Sequence, residues 1–170
     1  TYNIEYPHND LLNLADYHRE TINRKIEENN DDGIALDCLS CHISLAFSTE
    51  ALINYVGHKK VAPWKERMSY QEKIEKVVTG WPTFFNKNVE SYDTLWELKL
   101  LRDKIAHGQP IEFSENVSSR ENLFKYMECP WDRNTIPKYI NHAYDAVARF
   151  EKKLLEKGEN SIVDSVTSAH

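Results

Sequence analysis

Glycine and proline are scarce in this chain, whose 170 residues include only 5 Gly and 6 Pro. A sandwich or barrel of many strands needs frequent tight turns, which those two residues supply. The shortage therefore favours long helices and an all-α fold. The length corresponds to about one domain. We expect this domain to span residues 1–160 and the tail at residues 161–170 to fray.

Cysteine, basic charge and long apolar runs are also in short supply. The 3 Cys residues are an odd number that does not make a disulfide framework, which favours a reducing cytoplasm. No stretch approaches the roughly 18 to 20 apolar residues of a membrane helix. We therefore expect a soluble, cytoplasmic protein without membrane contact. Because 21 Lys+Arg face 27 Asp+Glu, any nucleic-acid site must be a local patch.

Apolar residues at three- and four-residue spacing predict an up-and-down bundle of four to five main helices. The second helix carries Leu36 and Phe47 in its apolar stripe, and Gly57 stands where a C-terminal cap usually falls. The last helix carries Ile136 in its stripe. The third long helix is expected to be buried along Leu95, Leu98, Leu101 and Ile105. The predicted long helices span residues 10–28, 34–55, 91–107 or 93–107, and 135–154, with shorter ones near 74–78 and 119–127.

The third long helix also carries the most informative polar residues of the chain, Arg102, Asp103 and His107. Asp103 and His107 are four residues apart, so the carboxylate can reach an imidazole nitrogen one turn away. Arg102 lies about 140° around the helix from His107, so one helix cannot direct both side chains at one point. Two helices related by a two-fold axis can. By spacing alone, such a histidine more often stabilises only its own helix.

The run LWELKLLRDKIAHGQP, together with SLAFSTEALIN in the second helix, resembles the HEPN superfamily (higher eukaryotes and prokaryotes nucleotide-binding domain). The signature of that superfamily is an Arg, a polar residue directly after it and a following His, commonly succeeded by Gly. Here these positions are Arg102, Asp103 and His107. The resemblance implies a HEPN-like bundle that pairs as a homodimer and brings two such motifs into one cleft.

Many HEPN proteins are metal-independent endoribonucleases, so the resemblance implies RNA as substrate and attack of a 2′-hydroxyl on the adjacent phosphate. His107 would serve as general base or acid, Arg102 would stabilise the charged phosphorane, and Asp103 would orient the histidine or polarise the site. Such an enzyme would be a toxin or defence effector, with an antitoxin or other partner protein. Other members are inactive dimerisation or nucleotide- and partner-binding modules, and this alternative stays open.

Two further groups of residues are candidate binding residues. Glu50 and Asn54 border the apolar stripe of the second helix, where a carboxylate is costly unless it is paired. We expect Glu50 to pair with Arg102 or to form a polar edge of the cleft. Lys59, Lys60 and Trp64 mix basic and aromatic character, which can hold phosphates and stack a base. Surface loops are often basic without binding RNA.

Cys38, Cys41 and His42 match the C-x-x-C-H pattern of haem attachment and are ligand types that zinc accepts. They lie inside an amphipathic helix, and the remaining cysteine, Cys129, is remote in sequence. We therefore interpret them as small buried side chains. We expect no metal and no cofactor.

Overall fold

A computed structural model describes residues 7–79, 90–108, 129 and 131–156, and these residues are helical without any strand. The all-α prediction is thereby confirmed. A short 3-10 helix, Asp132–Asn134, precedes the last α-helix. The predicted short helix at 119–127 and the tail at 161–170 lie outside the described residues. The α-helices of the described part are α1 (His8–Glu27), α2 (Ile34–Lys60), α3 (Tyr70–Thr79), α4 (Glu90–His107) and α5 (Pro137–Glu156).

A tight polar turn connects α1 to α2. Asn29 and Gly33 both have positive φ, at 52° and 65°, a region in which asparagine and glycine are the residues tolerated best. Lys25 near the end of α1 pairs with Asp37 in the first turn of α2. The turn and this ion pair hold α1 along α2 as a helical hairpin.

Helix α2 is the central helix, because it contacts α1, α3, α4 and α5. It continues to Lys60, so the prediction that it ends near Tyr55 with Gly57 as its cap is wrong. Gly57 is buried inside the helix, and a Cβ atom placed there would lie 2.4 Å from a ring carbon of Trp64. The glycine is needed for the close approach of an indole from the following loop, and it does not end the helix.

Helix α2 is long and apolar enough to cross a membrane, although the sequence was expected to contain no such stretch. Its length and an 18-residue window of mean hydropathy 1.2 are sufficient by composition to cross a membrane, and it is the single such helix in the described part of the chain. More than half of that window is buried against the other helices. This is the behaviour of a core helix, so the feature does not indicate a membrane protein.

The core lies between α2 and the apolar stripes of its neighbours. On α4, Leu95 and Leu98 are fully buried and Leu101 is 5% exposed, whereas Ile105 is only partly buried. Burying one leucine completely contributes about 1.5 to 3 kcal/mol to folding, so this stripe holds α4 firmly in register. The buried stripe of α5 consists of Ile140, Ala143, Ala146, Val147, Phe150 and Leu154.

Three residues expected in the core are exposed instead: Leu36, Phe47 and Ile136. Leu36 and Phe47 lie on one side of α2, while the opposite side, which includes Leu45, faces the other helices. Ile136 is exposed because α5 begins only at the next residue, so this position does not follow the helical stripe.

Candidate functional site

Five charged side chains from three helices form a continuous series in which positive and negative charges alternate. Arg102 is at its centre, with Nη2 2.9 Å from Glu50 Oε2 and Nε 3.0 Å from Asp103 Oδ1. We call this group the Arg102 cluster. In order, its members are Lys73 of α3, Glu50 of α2, and Arg102, Asp103 and Lys99 of α4.

The ion pair between Glu50 and Arg102 that the sequence predicts is present, and it fixes the guanidinium. The Arg102 side chain is only 18% exposed. The Phe47 ring lies against it, with its centroid 5.4 Å from the guanidinium carbon. The two carboxylates paired with the guanidinium and the aromatic neighbour together restrict the position and the rotation of the planar group.

Tyr70 is buried where α3 meets the Arg102 cluster. Burial, assisted by the negative charge of Glu50, raises the pKa of the Tyr70 hydroxyl well above its usual value. The tyrosine therefore stays neutral over the physiological range. Its ring also approaches Trp96, with a centroid distance of 6.1 Å.

His107 is exposed at the last residue of α4 and does not belong to the cluster. The i,i+4 spacing allows Asp103 to reach His107, but no ion pair joins them among the described residues. Asp103 pairs with Lys99 and Arg102 instead. Lys99 lies one turn before Asp103, and His107 lies one turn after it. The lysine carries a full charge, so it competes with the histidine for the same carboxylate.

Arg102 and His107 lie on opposite sides of α4. Measured from the fully buried Leu98, Arg102 is about 40° around the helix and His107 is about 180° around it. Arg102 therefore borders the core, and His107 is directed towards solvent. The structure of a single copy does not bring the two motif residues together.

The predicted binding residues on α2 occupy different places. Asn54 follows Glu50 by one turn and is half-buried, and its Oδ1 atom is buried without a hydrogen-bond partner among the described residues. Lys59 and Lys60 are exposed at the end of the helix. The ammonium of Lys59 lies 4.8 Å from the ring centroid of Tyr55. Ten residues of helix separate Glu50 from Lys60, which corresponds to about 15 Å.

Trp64 is half-buried and packs against the core. Its ring lies against Gly57, so the indole is partly used in holding the loop to α2. The ring centroid of His58 is 6.2 Å away, and His58 Nε2 is 3.3 Å from a Glu66 carboxylate oxygen. Trp64 therefore offers less free ring surface for the stacking of a base than the sequence suggests.

Sequence analysis missed two members of the Arg102 cluster, Lys99 and the more deeply buried Lys73. Lys73 is only 5% exposed, and its ammonium donates to Glu50 Oε1 over 3.5 Å. A signal for it exists in the sequence, because Lys73 lies three residues after Tyr70 and four before Val77, both of which are buried. A lysine in the apolar stripe of an amphipathic helix requires a partner.

The C-x-x-C-H residues are all in the core, as the sequence predicts. Cys38, Cys41 and His42 are fully buried, and the Cys41 thiol donates to the carbonyl oxygen of Ala15 over 3.2 Å. Burial raises the pKa of Cys38 to about 11 and that of Cys41 to about 12. It lowers the pKa of His42 to about 4. Within the described ranges, no three His, Cys, Asp or Glu residues form a group suited to a metal ion.

The Arg102 cluster is therefore the best-organised polar site in the described part of the chain. Within that part, Nη2 and Nε of Arg102 face carboxylates and Nη1 has no hydrogen bond or ion pair. A fixed guanidinium with one available amino group is suited to binding an oxyanion. The chain matches no protein-family model, no curated protein and no solved structure.

Proposed function

We propose that this chain is a HEPN-type endoribonuclease that acts as a homodimer and needs no metal ion. The observation that carries the proposal is the fixed guanidinium of Arg102, whose Nη1 has no partner among the described residues. The motif histidine, His107, is exposed at the end of the same helix. Because the two residues lie on opposite sides of α4, the active cleft would combine Arg102 of one copy with His107 of the partner copy.

In this cleft, a 2′-hydroxyl of the RNA attacks the adjacent phosphate and the P–O5′ bond breaks, which leaves a 2′,3′-cyclic phosphate and a free 5′-hydroxyl. His107 removes the proton from the attacking hydroxyl or donates one to the leaving oxygen. Arg102 stabilises the charge that develops on the phosphorane, with Nη1 as its available donor. Asp103, which contacts Arg102, holds the guanidinium in place and does not orient the histidine.

Exposed lysines at the end of α2 supply a path for the rest of the substrate. Lys59 and Lys60 lie about 14 to 15 Å from Glu50 along the axis of α2. They would contact RNA phosphates outside the cleft, and Asn54 would lie between them and the Arg102 cluster. A protein with this activity would act as a cytoplasmic toxin or defence effector, held in check by an antitoxin or another partner protein.

The second candidate function is a non-catalytic HEPN-like module for dimerisation or for binding a nucleotide or partner protein. It is favoured by the ion pairs that Arg102 already makes with Glu50 and Asp103, which stabilise the helix assembly by themselves. In this case the same oxyanion site binds a phosphate and no bond is cleaved. The two functions differ in whether His107 is needed for anything besides folding.

The deciding experiment mixes two inactive variants, Arg102→Ala and His107→Ala, in the presence of EDTA with labelled RNA. In a heterodimer, the first variant supplies an intact His107 and the second an intact Arg102, so one of the two clefts is complete. Random exchange of subunits should therefore restore about a quarter of the wild-type rate, since half of the dimers are mixed and each has one working cleft. The products should carry a cyclic phosphate.

Controls separate the roles of the two residues. His18→Ala changes a partly buried histidine on α1, which contributes no residue to the Arg102 cluster, and it should cleave like the wild type. Arg102→Lys should recover only part of the activity, because an ammonium lacks the planar two-donor group. Cleavage that persists in His107→Ala, or that EDTA stops, contradicts the proposal. Uncut RNA under all conditions favours the binding module.

A further inference from the structure

Lys73 is an unusual residue for the site it occupies. Its side chain is only 6% exposed, and a lysine is rarely buried to this extent without a strong partner. The partner here is one oxygen of Glu50, at the long distance of 3.5 Å. Such a pair is a poor source of stability, because removing an ammonium from water costs more than a long contact returns. The burial of Lys73 is better explained by its effect on Glu50.

The two oxygens of Glu50 are divided between two cations. Oε1 accepts from Lys73 of α3, and Oε2 lies 2.9 Å from Nη2 of Arg102 of α4. A carboxylate and a guanidinium that meet without a competitor favour a two-bond arrangement, in which both oxygens and two nitrogens take part. Here one of the two oxygens contacts Lys73 instead. As a consequence, Glu50 holds Arg102 by a single amino group.

We propose that Lys73 is a positioning residue, which keeps Glu50 in a one-oxygen contact so that Nη1 of Arg102 is available to an oxyanion. This proposal rests on the proposed function only for the identity of that oxyanion, an RNA phosphate. Without Lys73, Glu50 rotates onto Arg102 and takes both amino groups. The guanidinium is then neutralised by its own protein, and a phosphate oxygen finds no donor on it.

Chemical labelling of Arg102 tests the contact independently of any cleavage. Phenylglyoxal, which reacts with both amino groups of arginine, is applied to the whole chain, and peptide mapping follows Arg102 beside the exposed Arg24 of α1. Lys73→Met introduces an unbranched side chain one atom shorter than lysine, and it removes the charge. We expect labelling of Arg102 to slow by about tenfold, the effect of one additional charge-assisted hydrogen bond, while that of Arg24 is unchanged.

Two companion variants keep the test decisive. Lys73→Arg retains the positive charge and should restore labelling of Arg102. Glu50→Gln removes the negative charge that competes for Arg102, so labelling should speed up, and adding Lys73→Met to it should change nothing further. This lack of additivity is not expected if Lys73 only stabilises the fold, because a loss of stability would persist in the double variant. The comparison of Glu50→Gln with the double variant also provides the test if Lys73→Met alone does not fold.

RNA cleavage provides the second readout. Loss of one donor to the transition state should lower kcat of Lys73→Met by about 10- to 100-fold with little change in KM. Unchanged labelling of Arg102 in a folded Lys73→Met protein, or equal effects of Lys73→Met with and without Glu50→Gln, overturns the positioning role. Labelling that follows the expected pattern in a wild-type protein that cuts no RNA overturns the proposed ribonuclease and leaves the positioning role intact.

Discussion

Protonation of the buried His42 should weaken the fold below neutral pH. His42 is fully buried, its Nε2 lies 3.3 Å from the carbonyl oxygen of Leu98, and its ring stacks on Tyr139. Burial lowers its pKa from 6.5 to about 4, although the contact with the carbonyl acts in the opposite direction. The neutral ring is therefore the form that the core accepts.

The direction and size of the effect follow from this pKa. Because the folded-state pKa is lower than the unfolded one, the unfolded chain takes up the proton first. The contribution of His42 to stability is complete above about pH 6.5 and is lost progressively as the pH falls towards 4. A difference of about 2.5 pKa units corresponds to about 3 kcal/mol in total. Of this, about 2 kcal/mol should already be lost at pH 5.

Urea unfolding followed by circular dichroism at pH 7.5 and pH 5 measures the loss at one protein concentration. His42→Gln is the matched variant, because the amide still donates to the Leu98 carbonyl and does not titrate. The drop in unfolding free energy should be about 2 kcal/mol larger for the wild type than for the variant. Burial also lowers the pKa of His8, but that effect is common to both proteins and cancels. Equal drops in the two proteins would refute the reasoning.

Two further predictions concern packing. Gly57→Ala should lower the unfolding free energy by about 1 to 3 kcal/mol, because its Cβ atom would collide with the Trp64 ring, and a thermal melt with tryptophan fluorescence would detect it. Leu98→Ala should cost about 2 to 5 kcal/mol through the cavity it leaves, whereas the same change at the 42% exposed Leu100 should cost less than about 1 kcal/mol. Comparable losses at the two leucines in urea titrations would mean that the buried face of α4 is assigned wrongly.

The helices themselves could be predicted from the sequence because their signals are local. Residues three and four apart share a helix face, so the spacing of Leu95, Leu98 and Leu101 determines the buried side of α4. The break between α1 and α2 is equally local, since Gly33 and its polar neighbours tolerate positive φ. That Glu50 needs a cationic partner followed from a single constraint, because a carboxylate at the edge of an apolar stripe is costly unless it is paired.

Tertiary structure decided the features for which the sequence offers equivalent alternatives. Asp103 has a neighbour at four residues in both directions, and the surrounding charges select Lys99 over His107. Gly57 has the sequence context of a helix cap, and only the indole of Trp64 shows why the helix continues through it.

The organisation of the candidate site was likewise decided by tertiary structure. Local periodicity shows that Lys73 lies in an apolar stripe, but its partner Glu50 is 23 residues away on another helix. Spacing likewise gives the angle between Arg102 and His107. The packing of α2 and α3 beside α4 determines that Arg102, and not His107, is held against the core. Short-range spacing in the sequence thus determined the helices and their apolar faces, and long-range packing decided which charged groups meet, because contacts between distant segments leave no periodic signal in a single chain.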